Sequence, residues 1–181
     1  MVPIFTLGNP RDLRLFYALR RMLSAWGPVL SSNLEGSWIP SQEPSFLLED
    51  RGLCGNFHGR ALFILKDTHP LPPRLQSEEG SLAVLCSHNR DAVQLLADTG
   101  LQAVTCGLSP RDTVTFSSLE PGRGTIALQR PLQFPGGILS AEPREFPTLF
   151  PSHWNPSIVL CCAATAAVLG FNEEVLELCD F

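Results

Sequence analysis

Thr6-Leu7-Gly8-Asn9-Pro10-Arg11-Asp12 lies where a short apolar strand hands over to an amphipathic helix. Phosphate binding at such a junction needs glycines that let consecutive backbone N–H groups turn inward. It also needs a Lys for the terminal phosphates and a Ser or Thr hydroxyl for magnesium. This segment keeps Gly8, but Pro10 stands where an N–H is wanted, Arg11 where Lys would reach, and Asp12 where a hydroxyl would sit. The surroundings suit a phosphate loop, while the residues that would perform its chemistry are replaced.

The elements that must position this loop can be read from periodicity. Val2–Thr6 is a short run with β-branched residues. A helix follows from about Asp12 to Trp26, with Leu13, Phe16, Leu19, Leu23 and Trp26 on one face and Arg14 and Arg21 on the other. Asp12 suits the cap of that helix without any ligand. Val29–Leu30 leads into a Ser-, Gly- and Pro-rich stretch to Pro44 that reads as loop. Phe46–Leu48, Ala61–Leu65, Leu82–Cys86 and Ala103–Cys106 are continuous apolar runs of the kind found in parallel strands covered on both faces.

A helix at Asn89–Asp98, with Val93, Leu95 and Leu96 inward, completes a βαβ unit. Thr113–Leu119 and Thr125–Gln129 then alternate like antiparallel strands, Phe134–Gly137 reads as a turn, and Glu145–Phe150 as a returning strand. Two helices are expected to close the chain, Pro156–Leu169 and Glu173–Cys179, with Asn172 able to cap the second. The fold class implied is α/β: a mostly parallel sheet flanked by helices, with an antiparallel extension in the C-terminal half.

Composition narrows the classes further. The chain has 181 residues, 44% of them apolar, which suits one domain with a sizeable core. A net charge of −5 speaks against nucleic acid as a partner. Ile158–Leu169, the longest apolar run, is about half of the roughly 20 residues that a membrane span needs, so no membrane association is expected. The N-terminus does not read as a signal peptide. The six cysteines form no CxxC pair and Cys161-Cys162 point apart on a helix, so spacing offers no zinc site. Buried free thiols in a reducing cytoplasm are the expectation.

The order of these motifs resembles the central, nucleotide-binding domain of the Mur ligases, which join an amino acid to a carboxylate through an acyl phosphate made from ATP. TLGNPRD lies where that family carries TGTNGKT, with Thr6 and Asn9 matching. Leu47–Leu53 (LLEDRGL) resembles the strand ending in a Glu that helps hold magnesium. Leu101–Ser109 (LQAVTCGLS) resembles the family's VVTYGLS strand and turn, and Ser81–Asp91 the strand before it. Trp154, Asn155 and Ile158 fall on the His-Asn-x-x-Asn start of the closing helix, so only Asn155 keeps a base-contacting side chain. Lys66-Asp67-Thr68-His69 stands near the family's Thr-Asn…Asp-His segment, where the His supports magnesium. Lys66 is the only lysine, and the carbamylated lysine of the family has no evident counterpart.

The resemblance implies a vestigial nucleotide site at Thr6, Gly8, Asn9, Arg11 and Asn155, and metal contacts at Glu49 and His69. It implies a bacterial, cytoplasmic setting and a single Mur-ligase-like domain without the N- and C-terminal domains of a complete ligase. Two readings follow. One is a non-catalytic binding or assembly module with a protein partner, such as a ligase or another subunit, and no catalytic residue or cofactor. The other is a ligase subunit or weak nucleotide-binding protein that uses ATP and magnesium and is completed by domains in trans. A disused cleft would be closed by at least one of Leu7, Trp38, Phe57 and Trp154, with Arg11 turned toward Glu49 or Asp12.

Overall fold

Strands covered on both faces need no polar alternation, and the apolar runs of this chain behave accordingly: Leu62–Leu65 and Leu82–Cys86 are buried throughout. The computed structural model describes residues 3–133, 140–170 and 174–178. The first half contains β1 (Pro3–Leu7), α1 (Arg14–Trp26), β2 (Val29–Asn33), β3 (Gly36–Trp38), β4 (Phe46–Gly52), β5 (Leu62–Leu65) and β6 (Leu82–Cys86). The second half contains α2 (Arg90–Ala97), β7 (Gln102–Gly107), β8 (Val114–Glu120), β9 (Arg123–Leu128), β10 (Leu132–Gln133), β11 (Ser140–Ala141), β12 (Arg144–Leu149), α3 (Pro156–Val168) and β13 (Leu176–Glu177).

One sheet runs in the order β13-β12-β9-β8-β7-β6-β5-β1-β4-β2-β3, and β10 pairs with β11 separately. Every neighbour pair from β8 to β2 is parallel. The antiparallel additions are β3 on β2 at one edge, and β9 on β8 followed by β12 on β9 at the other. The expected α/β class therefore holds, with β1 inside the parallel part between β5 and β4.

The sheet separates two cores. Leu15, Phe16, Leu19 and Leu23 of α1 and the almost wholly buried α3 pack with Ile4, Leu48, Leu62 and Ile64 on one face. Ala92 and Leu96 of α2 pack with Leu7, Phe57, Phe63 and Leu85 on the other. Helices on opposite faces of a parallel sheet place the loops at the carboxyl ends of β1, β4, β5 and β6 together, the usual position of a ligand crevice in such folds.

Four sequence readings need correction. Residues 31–44 are not all loop, because β2 and β3 form a hairpin there; Asn33 Oδ1 accepts from the N–H groups of Glu35 and Gly36 and so makes the turn that its polar composition conceals. The first helix begins at Arg14 rather than Asp12. Val93 is 44% exposed rather than inward, since the short α2 rests on Ala92 and Leu96. The last expected helix is contradicted by β13, parallel to β12, in which Leu176 and Leu178 are buried and Glu177 is exposed in the alternation of an edge strand. The turn at 134–137, Asn172 and Cys179 lie outside the described residues.

Candidate functional site

The loop after β1 is held by its own backbone and by two buried charges. Gly8, at φ +131°, donates its N–H to Gly52 O at 2.8 Å; a Cβ there would stand 2.9 Å from Lys66 Cβ, so glycine is required for the close approach of the two segments. Arg11 N donates to Asn9 Oδ1 at 3.0 Å and Asp12 N to Asn9 O at 3.1 Å. With Pro10 lacking an N–H, the donors of Gly8, Arg11 and Asp12 are consumed inside the protein. An anion cradle would instead leave such groups pointing into the cleft.

The Asn9 carbonyl points toward a cation. Lys66, just beyond β5, extends Nζ to Asn9 O at 2.9 Å and to Asp50 Oδ2 at 2.7 Å. The side chains of Lys66 and Asp50 are 2% and 1% exposed, so this ion pair is fully desolvated and fixes the underside of the loop. Neither Asp50 nor Lys66 stood out as a site residue in the sequence. The signal that could have found them is the single lysine at the end of a buried strand, where a charge must have a partner.

The residues singled out from sequence scatter around this pair. Thr6 is fully buried in β1, and its Oγ1 has no hydrogen-bond partner. Glu49 sits beside Arg51 at 3.2 Å, and the Arg51 guanidinium lies over the Phe5 and Phe57 rings. Strand alternation puts Glu49 on the face opposite Leu48 and Asp50, so the acid beneath the loop is its neighbour Asp50. His69 turns to Asp91 of α2 at 3.1 Å, both being exposed. Asn155 caps α3, its Oδ1 accepting from Ser157 N at 2.9 Å.

The expected pairing of Arg11 with Glu49 or Asp12 is also overturned: Glu49 takes Arg51, and Asp12 takes Arg14 through bonds of 2.9 and 2.8 Å. Two residues along the chain, Arg14 reaches the carboxylate with little loss of freedom, while Arg11 follows a proline and extends outward. Asp12 also accepts from Thr68 Oγ1 at 3.1 Å.

The Arg14 hydrogen bond, against the opposing cost of partial burial, lowers the Asp12 pKa from 3.8 to about 2. Its stabilising contribution is therefore full above pH 3.8 and is lost as pH falls toward about 2. An Asp12→Asn chain should show a flatter loss of stability across that interval in acid-denaturation scans. Superimposable acid limbs would refute the coupling.

Above the loop lies an open cavity of about 980 Å³, lined by Asn9, Arg11, Arg14, Tyr17, Trp154 and Asn155, among others. This is at the upper end of small-molecule site volumes. Of the four bulky candidates for closing the cleft, only Trp154 reaches it, as part of the wall. Leu7 and Phe57 are buried on the other sheet face, and Trp38 packs at a tilt on Phe16 and edge-on to Tyr17 beneath the Arg20 guanidinium. The Tyr17 hydroxyl donates to Glu35, which raises its pKa.

A smaller cavity adjoins the first, with Asp67, Ser157 and Cys161 in its wall. Among the described residues, Asp67, Cys86 and His88 form a group whose donor atoms lie within 4.8 Å of one another. Cys54 is exposed, whereas Cys86, Cys106, Cys161 and Cys162 are free and buried. Hydrogen bonding to Cys161, together with burial, pushes the Cys86 thiol well up, and burial alone does the same for Cys162. No described helix is long and apolar enough to cross a membrane.

The sequence matches no family model, and a search of curated proteins finds no match. Solved structures do match in fold. MurF from Acinetobacter baumannii superposes with a TM-score of 0.53 at 12% identity, over 93% of this chain and 43% of that one. MurF ligase from Thermotoga maritima, a structure in complex with ADP, gives 0.54 at 11% identity, over 93% and 45%. This chain thus spans less than half the length of these neighbours, and at such identities the likeness is one of fold. It has the fold of a Mur-ligase-like domain.

Proposed function

We propose that this chain is a non-catalytic Mur-ligase-like module for binding or assembly, linked to cell-wall precursor or amino-acid ligation and working against a protein partner such as a true ligase. The observation that carries this reading is the Lys66 ammonium, buried against Asp50 and bonded to the Asn9 carbonyl. A loop that offers a carbonyl to an internal cation, and whose Gly8, Arg11 and Asp12 N–H groups are bonded within the protein, has little left for a triphosphate. Calorimetric and melting titrations with ATP and magnesium should therefore show no binding at millimolar nucleotide. A ligand at a hundred times its dissociation constant would add about 2.7 kcal/mol, so even modest binding is readily seen.

One observation favours a second reading, that of an ATP-dependent acid–amino-acid ligase subunit or weak nucleotide-binding protein completed in trans. The cleft remains open, with Arg11, Asn155 and Trp154 on its wall. An Arg can hold phosphate bidentately and a Trp can stack on a base. A saturable, magnesium-dependent melting shift would move the preference to this reading.

A further inference from the structure

Cys86 ends β6, His88 lies two residues beyond it, and Asp67 lies just past the end of the adjacent parallel strand β5. Asp67 Oδ2 stands 2.9 Å from His88 Nε2, and the Cys86 and Cys161 sulfurs are 3.9 Å apart. Metal–ligand bonds of about 2.0 Å to nitrogen or oxygen give a tetrahedral edge of roughly 3.3 Å between N and O. The Cys86 sulfur lies within 4.8 Å of both the Asp67 and His88 donor atoms, and Cys161 stands behind it, outside that group. The Asp67–His88 pair needs to open by a few tenths of an ångström, which the 62% exposed His88 can supply by moving outward.

We infer that Asp67, Cys86 and His88 form a three-ligand binding site for a borderline-soft divalent cation, with Zn²⁺ as its natural occupant and a fourth, tetrahedral position left for water. One sulfur, an imidazole and one carboxylate select zinc over magnesium or calcium, which take oxygen ligands. The supporting shell is in place, because Ser157 Oγ donates to Asp67 Oδ2 at 3.1 Å and orients the carboxylate. Binding would displace the Cys86 thiol proton, so affinity should rise with pH. Entry is from the His88 side, which faces solvent. The site lies at the end of the cleft floor, where it would tie the ends of β5 and β6 together, and it does not depend on the functional reading above.

The test uses the reduced, chelator-treated protein titrated with Co²⁺, followed by absorption. Expected are a thiolate-to-cobalt charge-transfer band and the intense visible bands of tetrahedral Co²⁺, both abolished by one equivalent of Zn²⁺. His88→Ala changes an exposed side chain and should leave the melting temperature of the metal-free protein unchanged while weakening Co²⁺ binding at least about 10- to 100-fold. Cys86→Ala should abolish the charge-transfer band. Absence of that band, or a His88→Ala chain with unchanged affinity, would overturn the site. Because no nucleotide or partner protein is present, neither result bears on the proposed module function.

Discussion

Replacing Lys66 with Met should cost about 3–5 kcal/mol, because it strands the buried Asp50 carboxylate without its cation. For a chain of this size that corresponds to a fall in melting temperature of roughly 6–20 °C. The loss has two parts, an uncompensated charge and an orphaned Asn9 carbonyl, and they can be separated. The double change Lys66→Met, Asp50→Leu removes the charge along with its partner and should recover most of the stability, leaving the cost of freeing the loop. Urea denaturation of the four chains in the cycle gives the coupling directly. A single variant losing less than about 1 kcal/mol would show that the pair is solvated and that the loop does not rest on it.

That pair marks the limit of what could be read from sequence. The place of the loop was legible because seven contiguous residues carry it, and the parallel sheet was legible because runs such as Leu62–Leu65 are apolar throughout. Asp50 and Lys66 are sixteen residues apart, and they meet only because β4 and β5 flank β1. Glu49 drew attention as the strand-ending acid, yet alternation along β4 gives the position under the loop to the next residue. The cluster of Asp67, Cys86 and His88 was hidden for the same reason, since Asp67 follows β5 while Cys86 and His88 stand at the end of β6. The missed β2–β3 hairpin and the missed edge strand β13 have a different cause. Ser31, Ser32 and Asn33 have loop composition, and the short alternation at Leu176–Leu178 cannot outweigh its acidic, helix-like surroundings.

Phe16→Ala should be as costly as the loss of Lys66, at about 3–5 kcal/mol, because the ring is fully buried where α1 meets the sheet and α3. Its consequence for function differs. Phe16 packs edge-on to Tyr17 and against Trp38, so it holds the wall of the cleft as well as the core. Phe57→Ala provides the control, since Phe57 packs with Phe5 and Phe63 on the opposite face, away from the cleft. Both variants should lose stability in denaturant titrations, but only Phe16→Ala should increase amide exchange at Tyr17 and in the first turn of α3. Equal exchange in the two variants would mean that the cleft is not mechanically continuous with the α1 face. Exchange confined to the Phe16→Ala chain would locate the module's binding surface on the rigid wedge between α1 and α3, the part of the fold whose shape survives independently of any phosphate chemistry.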